Sequence, residues 1–184
     1  MIVLLHAQQH SKGPQYTQDQ QLIRPTDYRE WVFLSAGLGM TYGPTAASSS
    51  PQSPLFDNVF VRPEAYRAFQ EAGKWPDKTM FVLEIRRSLS EGSINQGGHF
   101  QSDVKAVEIE VKDESRFPDK WAFFGFDGEA KTGKLLPHTA SCYSCHATNG
   151  AVDNTFVQFY PTLIPVAKAK GTFRTTPANQ TASH

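Results

Sequence analysis

Both cysteines of the chain lie in one short run, Cys142-Tyr143-Ser144-Cys145-His146. At this C-x-x-C-H spacing two thiols can add to the two vinyl groups of a haem, and the adjacent imidazole can reach the iron as an axial ligand. Two other chemistries use cysteines this close. A redox dithiol is one. A zinc site is the other, but it needs more ligands, and the available additions, His99 and His138, lack finger spacing. A structural disulfide is disfavoured by the tight spacing. Haem c accounts for both cysteines and the histidine at once.

With His146 on the iron, the group on the opposite face decides what the site does. Electron carriers commonly add a methionine or a second histidine there. Met80 lies in a predicted strand, where core packing is the expected role. His99 follows Gly97-Gly98, whose backbone freedom could bring it to the iron; its simpler reading is an exposed loop histidine. His138 is expected at the surface or the haem edge. Glu108, flanked by Val107 and Ile109, is the carboxylate of most interest. Facing a haem pocket it would be desolvated, which suits proton transfer to a bound ligand. By alternation alone it shares a solvated sheet face with Glu110.

The elements that must position these groups read as an α+β arrangement, an antiparallel β-sheet with flanking helices and the haem attached near a C-terminal helical segment. Pro25-Thr26-Asp27 predicts a helix start, with Asp27 and Glu30 at capping-box spacing and Tyr28, Trp31, Val32 and Ser35 on one face. Asn58–Val61 reads as a strand. Pro63 opens a helix that Gly73 closes, with Ala65, Tyr66, Phe69 and Ala72 at helical spacing. Strands are predicted at Thr79–Arg87, Asp103–Lys112 and Trp121–Phe126. Ser90–Gly98 and Gly128–Pro137 read as loops, as does the Ser/Ala/Pro-rich stretch Thr41–Pro54. A last helix is expected over about Thr155–Lys170, interrupted near Pro161 and Pro165. One haem domain over 22–170 is expected, between a segment (1–21) that is disordered or the remnant of an export signal and a mobile tail (171–184).

Composition narrows the classes. Lysine plus arginine equals aspartate plus glutamate at 18 each, so no basic field points to nucleic acid. No run of 18 apolar residues spans a membrane. The 13 phenylalanines are polar-free bulk, suited to a large flat cofactor or to ordinary core filling. The apolar start, Met1–Gln8, is too short for a complete signal peptide but fits the end of one. Export to the periplasm is expected, because haem attachment to C-x-x-C-H usually takes place outside the cytoplasm.

Several ordered motifs are similar to those of the cytochrome P-460 family of c-type haem proteins: Tyr28-Arg29-Glu30-Trp31-Val32, Val59-Phe60-Val61 with Pro63-Glu64-Ala65-Tyr66, Gly73-Lys74-Trp75-Pro76-Asp77, Val111-Lys112-Asp113, Arg116-Phe117 and Trp121-Ala122-Phe123. After Cys142–His146 come Asp153, Phe156-Val157 and Phe159-Tyr160-Pro161. The resemblance implies a mostly antiparallel sheet, usually in a homodimer, and one five-coordinate haem c with an open distal face. Active members oxidise hydroxylamine, while the related beta-type cytochromes c-prime bind nitric oxide and carbon monoxide behind an apolar cap. The enzymes carry a lysine joined to the porphyrin edge; its position falls on Leu83, which cannot form that link. The family's distal glutamate falls on Glu108. An arginine found near the pocket in some members has its place near Asp57. The resemblance thus implies a distal face lined by Leu83, Phe81 and Phe60, with Glu108 as its polar and catalytic group. It implies a small diatomic or nitrogen-oxide ligand, with a redox partner protein possible. Hydroxylamine oxidation and six-coordinate electron transfer are the alternatives.

Overall fold

The computed structural model describes residues 13–41 and 53–175. Seven strands form one sheet in the order β1-β7-β6-β5-β4-β3-β2, with every neighbouring pair antiparallel. The strands are β1 (Leu22–Ile23), β2 (Val32–Leu38), β3 (Phe56–Val61), β4 (Met80–Leu89), β5 (Phe100–Lys112), β6 (Trp121–Phe126) and β7 (Thr132–Leu135). The helices are α1 (Pro63–Ala72), α2 (Ser141–Asn149) and α3 (Ile164–Ala169). The architecture is α+β, as expected. Among the described residues no helix is long and apolar enough to cross a membrane.

Strand alternation sorts the core into two layers. On one face Met80 and Val82 of β4, Val107, Ile109 and Val111 of β5, and Ala122, Phe124 and Phe126 of β6 pack with Leu22, Tyr28 and Trp31. On the other, Val61 and Phe81 pack with Phe69 of α1, Trp75, Trp121, Val157, Leu163 and Ala167. That second face also carries Glu108 and Glu110, because they alternate with the valines and isoleucine of β5.

Three local expectations change. The helix expected after Asp27 is only a 3-10 turn, Tyr28–Glu30, without a side-chain cap from Asp27. The chain then runs straight into β2, because Val32, Phe33 and Ser35 gain more by pairing with β3 than by one helical face. Within the loop expected at 128–137, Thr132–Leu135 forms β7 and pairs with both β6 and β1. The last helix shortens to a 3-10 turn, Val157–Phe159, and α3, whose start carries Pro165.

The segment 1–21, expected to be disordered or the remnant of an export signal, is folded from Gly13 on. Tyr16 bridges to Leu22, sits on Phe117 and Phe124, and donates to Asp113 at 3.4 Å. After Gly171, Thr172 donates to the Gly73 carbonyl at 2.6 Å and Phe173 packs on the core. The apolar start 1–8 and most of the Thr41–Pro54 stretch lie outside the described residues.

Candidate haem site

Cys142, Cys145 and His146 all sit on α2. Spacings of three and four residues bring Cys142 beside Cys145 and His146 on one side of this helix. Both cysteines are free and half-buried. Burial pushes the Cys142 thiol up, and the carboxylates of Glu108 and Glu110 push it further. A redox dithiol needs the opposite shift. Among the described residues no group of three or more His, Cys, Asp or Glu side chains is placed to hold a bare metal ion. The dithiol and zinc alternatives therefore lose ground to haem.

The clearest fit to a haem is the histidine itself. His146 Nδ1 lies 2.8 Å from the Asn154 carbonyl. A carbonyl only accepts, so Nδ1 carries the proton and Nε2 is left unprotonated, the form able to ligate a metal. The ring is fixed between Phe123 (centroids 4.6 Å apart) and Phe156 (4.3 Å). Burial would depress its proton affinity, but the nearby Glu110 carboxylate, with the Asn154 bond, leaves it raised. A histidine with one nitrogen anchored to backbone and the other unclaimed is the usual form of a metal-ligating imidazole.

The Asn154 carbonyl is held by a built turn. Asp153 and Asn154 both take left-handed backbone, at φ 48° and 62°, a conformation these two residue types tolerate better than most. Thr155 accepts a bond from Trp75 Nε1 at 2.9 Å and donates to the Val152 carbonyl at 2.6 Å. The buried Lys112 ammonium donates to the Trp75 carbonyl at 2.7 Å and reaches Asp153 at 3.4 Å. Arg174 closes the end of α2 from outside, donating to the carbonyls of Ala147 (2.8 Å) and Gly150 (2.7 Å). These supports were not apparent from spacing, since they draw on three distant segments, at Trp75, Lys112 and Arg174.

The structure separates the other residues of interest. Leu83 is half-buried and pairs directly with Val59 on one side and Glu108 on the other. The two family positions are therefore neighbours on one sheet face, and the charge of Glu108 is felt by the Cys142 thiol. Glu108 is exposed on that face. Asp57 stands nearby on β3, its pKa pushed up to about 6 by burial and then by the charge of Glu108. Phe81 is 3% exposed and packs on Trp75, Trp121 and Tyr160, so it belongs to the core beneath the site rather than to an open wall. Phe60 lies on the opposite sheet face against Tyr28 and Phe33, which removes it from the expected lining.

Met80 is also on that opposite face, 1% exposed, so it cannot share an iron with His146. His138 stacks on Tyr143 and lies 3.2 Å from Asp119, a surface role. His99 is half-buried at the tip of the β4–β5 hairpin, with Nδ1 buried and unbonded. A cleft of about 440 Å³ lies on the Tyr143–Ala147 flank of α2, lined by Trp121, Phe123 and His146 but by neither cysteine.

No curated protein matches the chain. The family model for cytochrome P460 matches residues 25–157, most of the chain and every strand from β2 to β7. A matched region of that extent, ending beyond the cysteine helix and its histidine, makes this chain a member of the cytochrome P460 family and a haem-binding cytochrome.

Proposed function

We propose that this chain is an exported, periplasmic c-type cytochrome with one covalent haem and an open distal face that binds nitric oxide or a related small nitrogen ligand. Cys142 and Cys145 would each add S–H across a vinyl group, forming a C–S bond and passing the hydrogen to the vinyl carbon, with no oxidant needed. His146 Nε2 would ligate the iron. When bound, the haem supplies a metal that takes small ligands and exchanges electrons.

The observation that carries the reading is the contrast around His146. Its ring is locked for ligation by Asn154 and two phenylalanines. The neighbouring sheet face offers Leu83 and Glu108, neither of which is a strong ligand for haem iron, while Met80 is across the sheet. Leucine excludes water and admits neutral diatomic molecules. The Glu108 carboxylate can accept a hydrogen bond from a bound ligand or take its proton.

Hydroxylamine oxidation is the second reading, and the retained Glu108 favours it. Leu83 argues against the family's modified porphyrin, since leucine has no nucleophile. Pairing as a homodimer is supported by edge strand β2, which exposes Phe33 and Leu38 at 53% and 51%; a monomer mass in sedimentation would end that part.

Nitric oxide uptake by the ferrous protein, followed by stopped flow, tests the main reading. Fast uptake in a single step is expected. Slow uptake limited by loss of an internal ligand would point to a six-coordinate electron carrier, with His99 the first residue to replace. Should steady hydroxylamine turnover with an added electron acceptor be seen, Glu108→Ala is expected to abolish it; an unchanged rate would remove Glu108 from the chemistry.

A further inference from the structure

Glu110 is a buried charge to which the proposed function gives no role. Its register neighbours are Phe81 on β4 and Phe123 on β6. The side chain is 10% exposed, and Oε1 is buried without a hydrogen-bond partner. An unpaired buried carboxylate oxygen is a costly placement, and an apolar side chain would fill this position better. Glu108, two residues along on the same face, adds repulsion rather than relief.

The group it does meet is the proposed iron ligand. Glu110 Oε1 lies 3.3 Å from His146 Nδ1. The proton on Nδ1 points to the Asn154 carbonyl at 2.8 Å, so the carboxylate touches the ring nitrogen without taking an in-line bond. Two acceptors thus converge on the far nitrogen of the imidazole, one a neutral backbone oxygen held by a rigid turn and the other a full charge in an apolar setting. Partners on the far nitrogen make a ligating histidine more basic and fix its orientation. A charge in low dielectric acts more strongly than the same charge in water.

We propose that Glu110 is a positioning residue for His146, whose carboxylate strengthens the imidazole as an electron donor to iron held at Nε2. The inference rests on the haem reading of the site and deepens it. A stronger donor holds the iron more tightly on the histidine side and favours the ferric over the ferrous state. It gives Glu108 and Glu110 separate tasks, one toward the bound ligand and one toward the histidine.

The test uses the full, haem-loaded chain as wild type, Glu110→Gln and Glu110→Asp. Two properties are read: the iron–histidine stretching frequency of the ferrous protein by resonance Raman, and the reduction potential. Glutamine keeps the shape and removes the charge, so the frequency is expected to fall and the potential to rise. Aspartate keeps the charge but draws it back, so smaller shifts in the same directions are expected; it carries the test alone if the glutamine variant does not load haem. Haem-loaded variants with wild-type frequency and potential overturn this inference alone, whatever happens to their melting temperature. A wild-type chain that takes up no haem overturns the haem reading and this inference with it.

Discussion

Glu108 and Glu110 differ by two positions and share a sheet face, yet their surroundings are opposite. Glu108 is exposed beside Leu83, while Glu110 is largely covered between phenylalanines, with Oε1 buried against His146. A third glutamate, Glu84, faces the other layer and is 2% exposed. Arg86 Nε donates to it at 2.5 Å, Arg29 Nε at 2.9 Å, and Tyr28 Oη donates as well. Burial alone would raise its pKa, but these hydrogen bonds hold the carboxylate below its ordinary 4.5. The folded state therefore binds this proton less readily than the unfolded chain. Its contribution to stability is present above about pH 4.5 and is lost as pH falls through the lower folded value. Glu84→Gln is expected to destabilise the protein at pH 7 by about 3–5 kcal/mol. The loss should shrink on the acid side, as read by chemical denaturation at pH 7 and pH 3.5. An equal loss at both values would mean that the charge is not what stabilises the fold.

At the scale of elements, α2 and the turn after it form one device. Gly150 joins them. A Cβ there would lie 2.5 Å from the Asn154 carbonyl carbon and 2.7 Å from the His146 carbonyl oxygen, both backbone. The first cannot yield without moving the carbonyl that anchors the histidine, nor the second without moving the backbone of His146 itself. Gly150→Ala is expected to cost about 1–3 kcal/mol and to alter the haem absorption bands through a displaced His146. A variant with wild-type melting temperature and spectrum would show that the turn does not position the ligand. Much of this region was legible before the structure. The C-x-x-C-H spacing picked out residues that the fold brings together on α2; a β-rich run, an alternating run and an aromatic run located β4, β5 and β6 in turn. Pro63 and Gly73 marked α1 correctly, at a Pro start and a left-handed Gly close. The misreadings share a cause. Residues 28–35 carry both a helical face and a β-rich run, and pairing with a distant strand decided between them. β7 is too short to show alternation. Phe60 and Phe81 are equally apolar, and only register tells which layer each joins. Asn154 acts through its backbone oxygen, which no side-chain pattern can reveal.

Across the whole molecule, two apolar layers sandwich the sheet, and the second leaves Leu83 half-covered and Glu108 exposed. The first layer is sealed by the N-terminal segment through Tyr16, Leu22 and Tyr28. The second is sealed at one end by α1, α3 and Phe173, which leaves the half-buried Cys142, Cys145 and His146 at the margin of the core rather than inside it. Under the proposed function, that division would let one face of the iron be fixed by packing while the other meets ligand. The absorption spectrum of the purified, periplasmically expressed protein, ferric and ferrous, tests this most directly. Haem bands that survive denaturing extraction, with a five-coordinate high-spin ferrous spectrum that changes on adding nitric oxide, are the predicted result. A low-spin six-coordinate spectrum indifferent to nitric oxide, or haem that extracts freely from the protein, would contradict it.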